Sequence, residues 1–397
     1  MAAAPPALPI ELVEEILLRL PPDDPACLLR ASVVCKTWGG AVSSPGFRRR
    51  LHELHPTPPV LGFLHNWRNE HIPLFFPTTI SSFSLAAPDR RRWRVVDCRH
   101  GRALFLSKDQ RPKEILVWEP ISGAQRRVPL PAAFGHGYPN AAVFCAADGC
   151  GHHDCHGGPF HLVFVFSVDA DTGTHDYVTS ACLYSSETGA WGEPAWMHGD
   201  FDIEDTSSGV LLVGRSVFYF LSDDGRILGY DLARHGLTLF DPPESEYYAK
   251  FSLILAEDGG LGLSQALYRH IKLWSWKASD GTNAQWVLSR VIYLENLLPN
   301  GALVNAMSSL YVLGFAEGAN LIFVTTVVGV FTIEIQSHRV RKVCDVNGLG
   351  NLIPVVSFYT PLPCGAHQDS PRVPCYEKVG ASMLKNTDVP CYPKLKR

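Results

Sequence analysis

The sequence predicts an α+β multidomain protein: a small N-terminal helical domain followed by an all-β domain, closed as a β-propeller of about six blades. Three observations carry this expectation. In the first 55 residues, apolar side chains recur with the 3.6-residue period of short helices. After Pro59 the apolar runs shorten to strand length and are parted by turn pairs such as Ser122-Gly123, Thr188-Gly189 and Asp224-Gly225. Within that stretch, hairpins led by Trp118, Tyr184, Tyr230, Trp276 and Phe331 return roughly 45 to 65 residues apart, the spacing of successive four-stranded blades. A pair of β-sandwiches is the alternative architecture.

The expected domains are 1–55 (helical), 56–362 (β) and 363–397 (tail). Leu12, Val13, Ile16, Leu17 and Leu20 share one face of a first helix. Pro9 suits its first turn, where a missing N–H costs nothing. Glu11, Glu14 and Glu15 lie toward the positive end of its dipole, Arg19 lies toward the negative end, and Pro21-Pro22 stop it. Asp24-Pro25 caps a second helical segment, "ACLLRASVVCKTW", and Ser44-Pro45 caps another that carries Phe47, Leu51 and Leu54. Three or four short helices are expected before "HPTPPVLGF".

The body supplies strand-length runs such as "ALFLS", "ILVWE", "HLVFVFSV", "SVFYFLS", "FSLILAE" and "IKLWSW". A single longer run, "LIFVTTVVGVFTIEI", starts at Leu321. A closed ring removes the open edges that so many strands would otherwise present. The end, "CGAHQDSPRVPCYEKVGASMLKNTDVPCYPKLKR", has prolines and charges but no apolar period and reads as a flexible tail.

Composition narrows the function classes. Hydrophobic residues make up 46% of the 397, charged residues 19%, and the net charge is −4. No basic field of the kind that gathers nucleic acid or an anionic membrane is present, so neither partner is expected. The 11 cysteines are odd in number and show no disulfide-framework spacing. The opening residues lack a basic segment and are interrupted by glutamates, so no export signal is read. Reduced thiols in a cytoplasmic or nuclear protein are the expectation. The apolar run from Leu321 is about half the length of a membrane span.

A helical head of this size buries little surface. Burying one Leu, Ile or Val side chain is worth roughly 1.5–3 kcal/mol, and the head carries more of them than it can enclose. The surplus is expected to face another surface, and the proline-rich link (Pro56, Pro58, Pro59) favours presentation to a second protein.

The stretches "LPIELVEEILLRLP", "LLRASVVCKTW" and "SSPGF" resemble an F-box motif along its length. The following "FRRRLHELHPTPPVLGFL" is similar to the junction in plant F-box proteins with a β-rich associated domain. The resemblance implies the substrate-recognition subunit of an SCF-type ubiquitin ligase. The F-box would dock on a Skp-family adaptor held by a cullin scaffold, and the β domain would bind a protein target. No catalytic residue and no cofactor are implied, because the contribution is proximity. Carried over by position, the adaptor contacts would be Leu8, Pro9, Leu12, Ile16, Leu17, Leu20, Leu28, Leu29, Val33, Cys35 and Trp38. About half of these would instead hold the bundle together, Trp38 and Val33 first. Gly39 and Gly40 depart from the motif where better helix formers are expected, at up to about 1 kcal/mol each. An F-box scaffold acting outside a ligase and a propeller-based enzyme are the competing readings. The enzyme would need polar residues converging on the ring axis, and the sequence offers no convincing set.

Other constellations carry less. Cys145 and the segment from Cys150 to His156, with His152, His153, Asp154 and Cys155, offer zinc-type donors. They match no paired Cys-x-x-Cys knuckle, a glycine-flanked polar loop explains them equally, and no metal is assigned. "GLGLSQALY" places Ser264 after Gly262 but has Ala266 where a nucleophile elbow needs glycine. "GDFDIEDTSSG" lacks the ordered ligand spacing of a calcium loop. "DRRRWRVV" sets Arg90, Arg91, Arg92 and Arg94 around Trp93, and Arg91, Arg92 and Trp93 are candidates for contact with an acidic target. A charged turn entering a strand is the bland alternative.

Overall fold

The computed structural model describes residues 8–361, except 67–73, 79–92, 108–113, 136–138, 153, 154, 156, 171–175, 204–208, 223, 245–249, 279–283, 304–309, 347 and 348. The residues expected to form a C-terminal tail lie outside the described ones.

Four short helices form the head: α1 (Ile10–Leu18), α2 (Pro25–Ser32), α3 (Lys36–Val42) and α4 (Pro45–Leu54). The expected start signals operate at two of them. Asp24 Oδ1 accepts the Ala26 N–H at 3.2 Å ahead of Pro25, and Ser44 Oγ accepts the Phe47 N–H at 3.1 Å ahead of Pro45. Pro9 is the cap of α1 rather than a residue of its first turn. Gly39 reverses the expectation made for it. A Cβ there would stand 2.8 Å from the Ser32 carbonyl oxygen, so the glycine is what lets α3 cross close to the end of α2. Gly40 has open space around it.

The body is a propeller of six sheets. In chain order its strands are β1 (Val60–His65), β2 (Leu74–Pro77), β3 (Trp93–Arg99), β4 (Arg102–Ser107), β5 (Glu114–Trp118), β6 (Gln125–Pro129), β7 (Asn140–Cys145) and β8 (Phe160–Asp169). There follow β9 (Tyr177–Ser185), β10 (Ala190–Trp191), β11 (Ala195–Gly199), β12 (Leu211–Val213), β13 (Val217–Leu221), β14 (Ile227–Asp231), β15 (Gly236–Phe240) and β16 (Phe251–Leu255). The last are β17 (Leu261–Leu267), β18 (His270–Ala278), β19 (Ala284–Tyr293), β20 (Tyr311–Ala316), β21 (Leu321–Thr326), β22 (Gly329–Glu334), β23 (Val340–Cys344) and β24 (Leu352–Val356).

Five blades are consecutive: β3–β6, β7–β11, β12–β15, β16–β19 and β20–β23. The remaining blade, the first in chain order, closes the ring, because β24 from the end of the body pairs antiparallel with β1 from its start, with β2 on the far side. One apolar cluster fills each blade–blade contact. Leu104, Ile115 and Phe164 meet between the second and third blades, for instance, and Phe63, Phe323 and Val330 meet where the first joins the sixth. Six such seams around one axis exclude the sandwich alternative.

The long run from Leu321 is a hairpin, not one strand. Thr326 pairs with Gly329 across a two-residue turn, the Thr326 hydroxyl bonds the Gly329 carbonyl at 2.9 Å, and Gly329 holds φ 123°. No helix among the described residues is long and apolar enough to cross a membrane.

Candidate functional site

The head buries Val13, Leu17, Leu18, Leu28, Ala31, Val42, Phe47 and Leu51 in one core. It is not enclosed by its own side chains alone. Phe358, just beyond β24, completes this core and sets its ring 4.5 Å from that of His52. The Ser43 hydroxyl donates to the Pro361 carbonyl at 2.9 Å, and Arg341 on β23 pairs with Asp23 at 3.4 Å. The propeller's exit segment thus anchors the head.

What stays outside is specific. Leu12 and Ile16, one turn apart on α1, are 52% and 50% exposed, and Leu8 and Pro9 lie exposed just before them. Val33, Val34 and Cys35, in the α2–α3 turn, are also exposed. Arg50 from α4 bonds Glu14 at 3.1 Å and also pairs with Glu15, which ties the charged side of α1 to the bundle and leaves Leu12 and Ile16 without cover.

Of the residues expected to face an adaptor, Leu17, Leu28 and Leu29 are turned inward and buried. The face of α1 that the period defined is split: Val13 and Leu17 fill the core, and Leu12 and Ile16 look away from it. Leu20 and Trp38 are half-buried against the same core. Val33, expected to be structural, is 42% exposed.

The second candidate surface is the propeller axis, where a cavity of about 400 Å³ opens. Its polar lining is not legible in sequence, because Asp97 and Arg99 on β3 and Glu317 beyond β20 come from different blades. Arg99 Nε donates to Asp97 Oδ2 at 2.8 Å, Nη1 to Glu317 Oε1 at 3.0 Å, and Nη2 to the Val210 carbonyl at 2.6 Å. Every guanidinium nitrogen therefore has an acceptor. Burial and the neighbouring Asp97 charge raise the Glu317 carboxyl above its ordinary value, against the pull of Arg99. The linker residues Pro56 and Pro58 line the same cavity, so the head and the axial opening lie at one end of the propeller.

The remaining candidates resolve as follows. Trp93 is fully buried in the seam between the first two blades and cannot meet a target; Arg90, Arg91 and Arg92 lie outside the described residues. Arg94 donates to the Pro139 carbonyl at 3.1 Å. Ser264 is a fully buried residue of β17 whose hydroxyl bonds the Ser252 carbonyl, not an exposed elbow. In the acidic stretch, Phe201 and Ile203 are core residues and Asp200 is engaged by Arg226. Four zinc-type donors, Cys145, Cys150, His152 and Cys155, are brought together at the rim of the axial cavity. All four belong to the group singled out in the sequence, with Cys145 at the end of β7; His153, Asp154 and His156 lie outside the described residues.

The sequence pattern of the family described as "F-box protein AT5G49610-like, beta-propeller" matches residues 94–362, and that of the F-box domain matches residues 6–50. A protein of Arabidopsis thaliana whose name places it among F-box proteins, At3g16210, is 25% identical over 202 residues, covering 49% of this chain and 50% of that one. The chain thus spans about half the length of this curated relative. Among solved structures, the β-propeller domain of Cps50 (Swd1) from Myceliophteria thermophila is similar over 72% of this chain and 83% of its own, at 14% identity and a TM-score of 0.38. The extracellular domain of the one-component-system protein BT4673 from B. thetaiotaomicron is similar over 69% of this chain and 32% of its own, at 9% identity and a TM-score of 0.34.

Proposed function

Because the chain belongs to the family of F-box proteins with an AT5G49610-like β-propeller, we propose that it is a substrate-recognition subunit of an SCF-type ubiquitin ligase. The head docks on a Skp-family adaptor, and through it on a cullin, while the propeller holds a protein target. The observation that carries this reading is the uncovered pair Leu12 and Ile16 on a head already anchored to its own propeller by Phe358. Leaving two large aliphatic side chains half in water forgoes about 1 kcal/mol for each. A partner helix laid across them would recover that energy.

On this reading the chain works in the cytoplasm or nucleus and performs no covalent step. It raises the concentration of target near a ubiquitin-charged enzyme. The polar set on the axis does not argue for an enzyme, since Arg99 spends all its donors on Asp97, Glu317 and main-chain oxygen.

The test is co-purification of the full-length protein against Leu12→Asp/Ile16→Asp from cells that express the adaptor. Wild type should bring down a Skp-family adaptor and a cullin. The variant should lose both and keep proteins held by the propeller. An adaptor without cullin would support the scaffold reading instead, and a wild-type protein that captures no adaptor would overturn the assignment.

A further inference from the structure

We propose that Cys145, Cys150, His152 and Cys155 form a structural zinc site that locks the β7–β8 loop at the rim of the propeller axis. Their ligand atoms all lie within 4.8 Å of one another. Cys150 Sγ stands 3.4 Å from Cys155 Sγ, and His152 Nδ1 stands 3.6 Å from Cys155 Sγ. Zinc bonds of about 2.3 Å to sulfur and 2.0 Å to nitrogen place tetrahedral donors about 3.5–3.8 Å apart. Closing the set on an ion thus needs side-chain shifts of about 1 Å or less. Three thiolates and one imidazole suit zinc among the common divalent ions, and a full set of four protein donors is the composition of a structural rather than a catalytic site.

The loop is built to hold that shape without the ion's help. The Cys145 N–H donates to His100 Nδ1 at 3.1 Å, and the His100 ring stacks on that of His152 at 3.9 Å. Arg102, fully buried, donates to the carbonyls of Cys155 and Gly158. Glu119 accepts the Gly157 N–H at 2.9 Å. The His152 N–H points at Cys150 Sγ at 3.4 Å, the main-chain support a thiolate ligand needs. The β3–β6 blade therefore holds the main chain at Cys145 on one side of the donor set and at Cys155, Gly157 and Gly158 on the other.

Charge is matched as well. Three thiolates around a dication leave one negative charge, and Arg102 and Arg215 stand beside it. Without the ion, Arg215 donates to His152 Nε2 at 2.6 Å, so the imidazole proton sits on Nδ1. Coordination through Nδ1 moves that proton to Nε2. Arg215, an exposed side chain, then releases the ring and keeps its 2.7 Å bond to the Cys150 carbonyl. The three thiol protons go to solvent. A Cys150–Cys155 disulfide is the rival use of these atoms, but it leaves Cys145 and His152 without a role.

The experiment is metal analysis of full-length protein purified under reducing conditions, followed by replacement with cobalt(II). One equivalent of zinc is expected in the wild type. Cobalt should show the ligand-field bands of a tetrahedral site together with thiolate charge transfer. Cys150→Ser and Cys155→Ser should each bind at least tenfold less metal, whereas Cys27→Ser on α2 should match the wild type. Folded wild-type protein that carries no zinc and gives cobalt only an octahedral spectrum would overturn the site, even if the variants fail to fold. So would zinc content indifferent to both substitutions, or a metal-free protein whose mass and thiol count show a Cys150–Cys155 disulfide.

Discussion

Arg99 on β3 and Glu317 beyond β20 meet across the propeller axis, guanidinium to carboxylate at 3.0 Å, joining the second blade to the sixth. The same group of charges reaches two more blades. Asp97 accepts the Val143 N–H of β7 at 2.9 Å, and Glu317 accepts the Leu212 N–H of β12 at 3.2 Å. The ladder between β1 and β24 is the ring's other closure, and it lies within a single blade.

Arg99→Met should therefore destabilise the protein by about 3–5 kcal/mol, because two buried carboxylates lose their shared counter-ion. Arg99→Met/Glu317→Gln should recover part of that loss by removing one of the orphaned charges. Urea unfolding of the two variants and of Glu317→Gln closes the double-mutant cycle. Losses that simply add would show that Arg99 and Glu317 are not coupled.

The same pair sets a pH dependence of known sign. Burial first, then Asp97, raises the folded-state Glu317 carboxyl above its ordinary value of 4.5. The native state then holds a proton that the unfolded chain has lost, so the contribution of Glu317 is fully present below 4.5 and is lost as pH rises through the folded-state value. Relative to Glu317→Gln, the wild type should gain stability as the pH is lowered from neutral toward that limit. Chemical denaturation of both proteins across this range checks it, and a constant difference would contradict it.

The head and the strands of the body were legible because each rests on local pattern. Asp24-Pro25 and Ser44-Pro45 act within four residues of the bonds they make, and Gly123, Gly189 and Gly225 take the positive φ their turns need. The ring was legible from the recurrence of hairpins. What stayed hidden depends on closure. Asp97 and Glu317 are 220 positions apart and meet because the ring brings the first and last thirds together. Cys145 was legible as a zinc-type donor, but its place beside Cys155 follows from the return of the chain into β8. Within α1 the period marked one apolar face but not its division between core and solvent, which is set by where α3 and α4 pack.

Two adjacent glycines should respond in opposite directions. Gly39→Ala sets a methyl group 2.8 Å from the Ser32 carbonyl oxygen, a main-chain atom, so α2 and α3 must separate at a cost of about 1–3 kcal/mol. Gly40→Ala meets nothing within 4 Å and stiffens the unfolded chain, so it should stabilise α3 by up to about 1 kcal/mol. Hydrogen exchange of the peptide spanning 36–42 in the full-length protein should speed up in the first variant and slow in the second. The same direction in both would refute the crossing as the reason for Gly39.

Phe358 decides whether the head keeps a fixed bearing on the propeller. It is 4% exposed, belongs to the head's core rather than to a blade seam, and is followed by the Pro361 carbonyl that holds Ser43. Deleting such a ring costs about 3–5 kcal/mol where the site cannot collapse. A bundle this small has little other apolar area with which to offset it. Phe358→Ala should leave the six blade seams intact but release the head, so that limited proteolysis cuts between Leu54 and Val60 at least tenfold faster while the propeller fragment survives. Equal cleavage rates in the two proteins would mean that the head holds its position through the Ser43 and Asp23 contacts without Phe358.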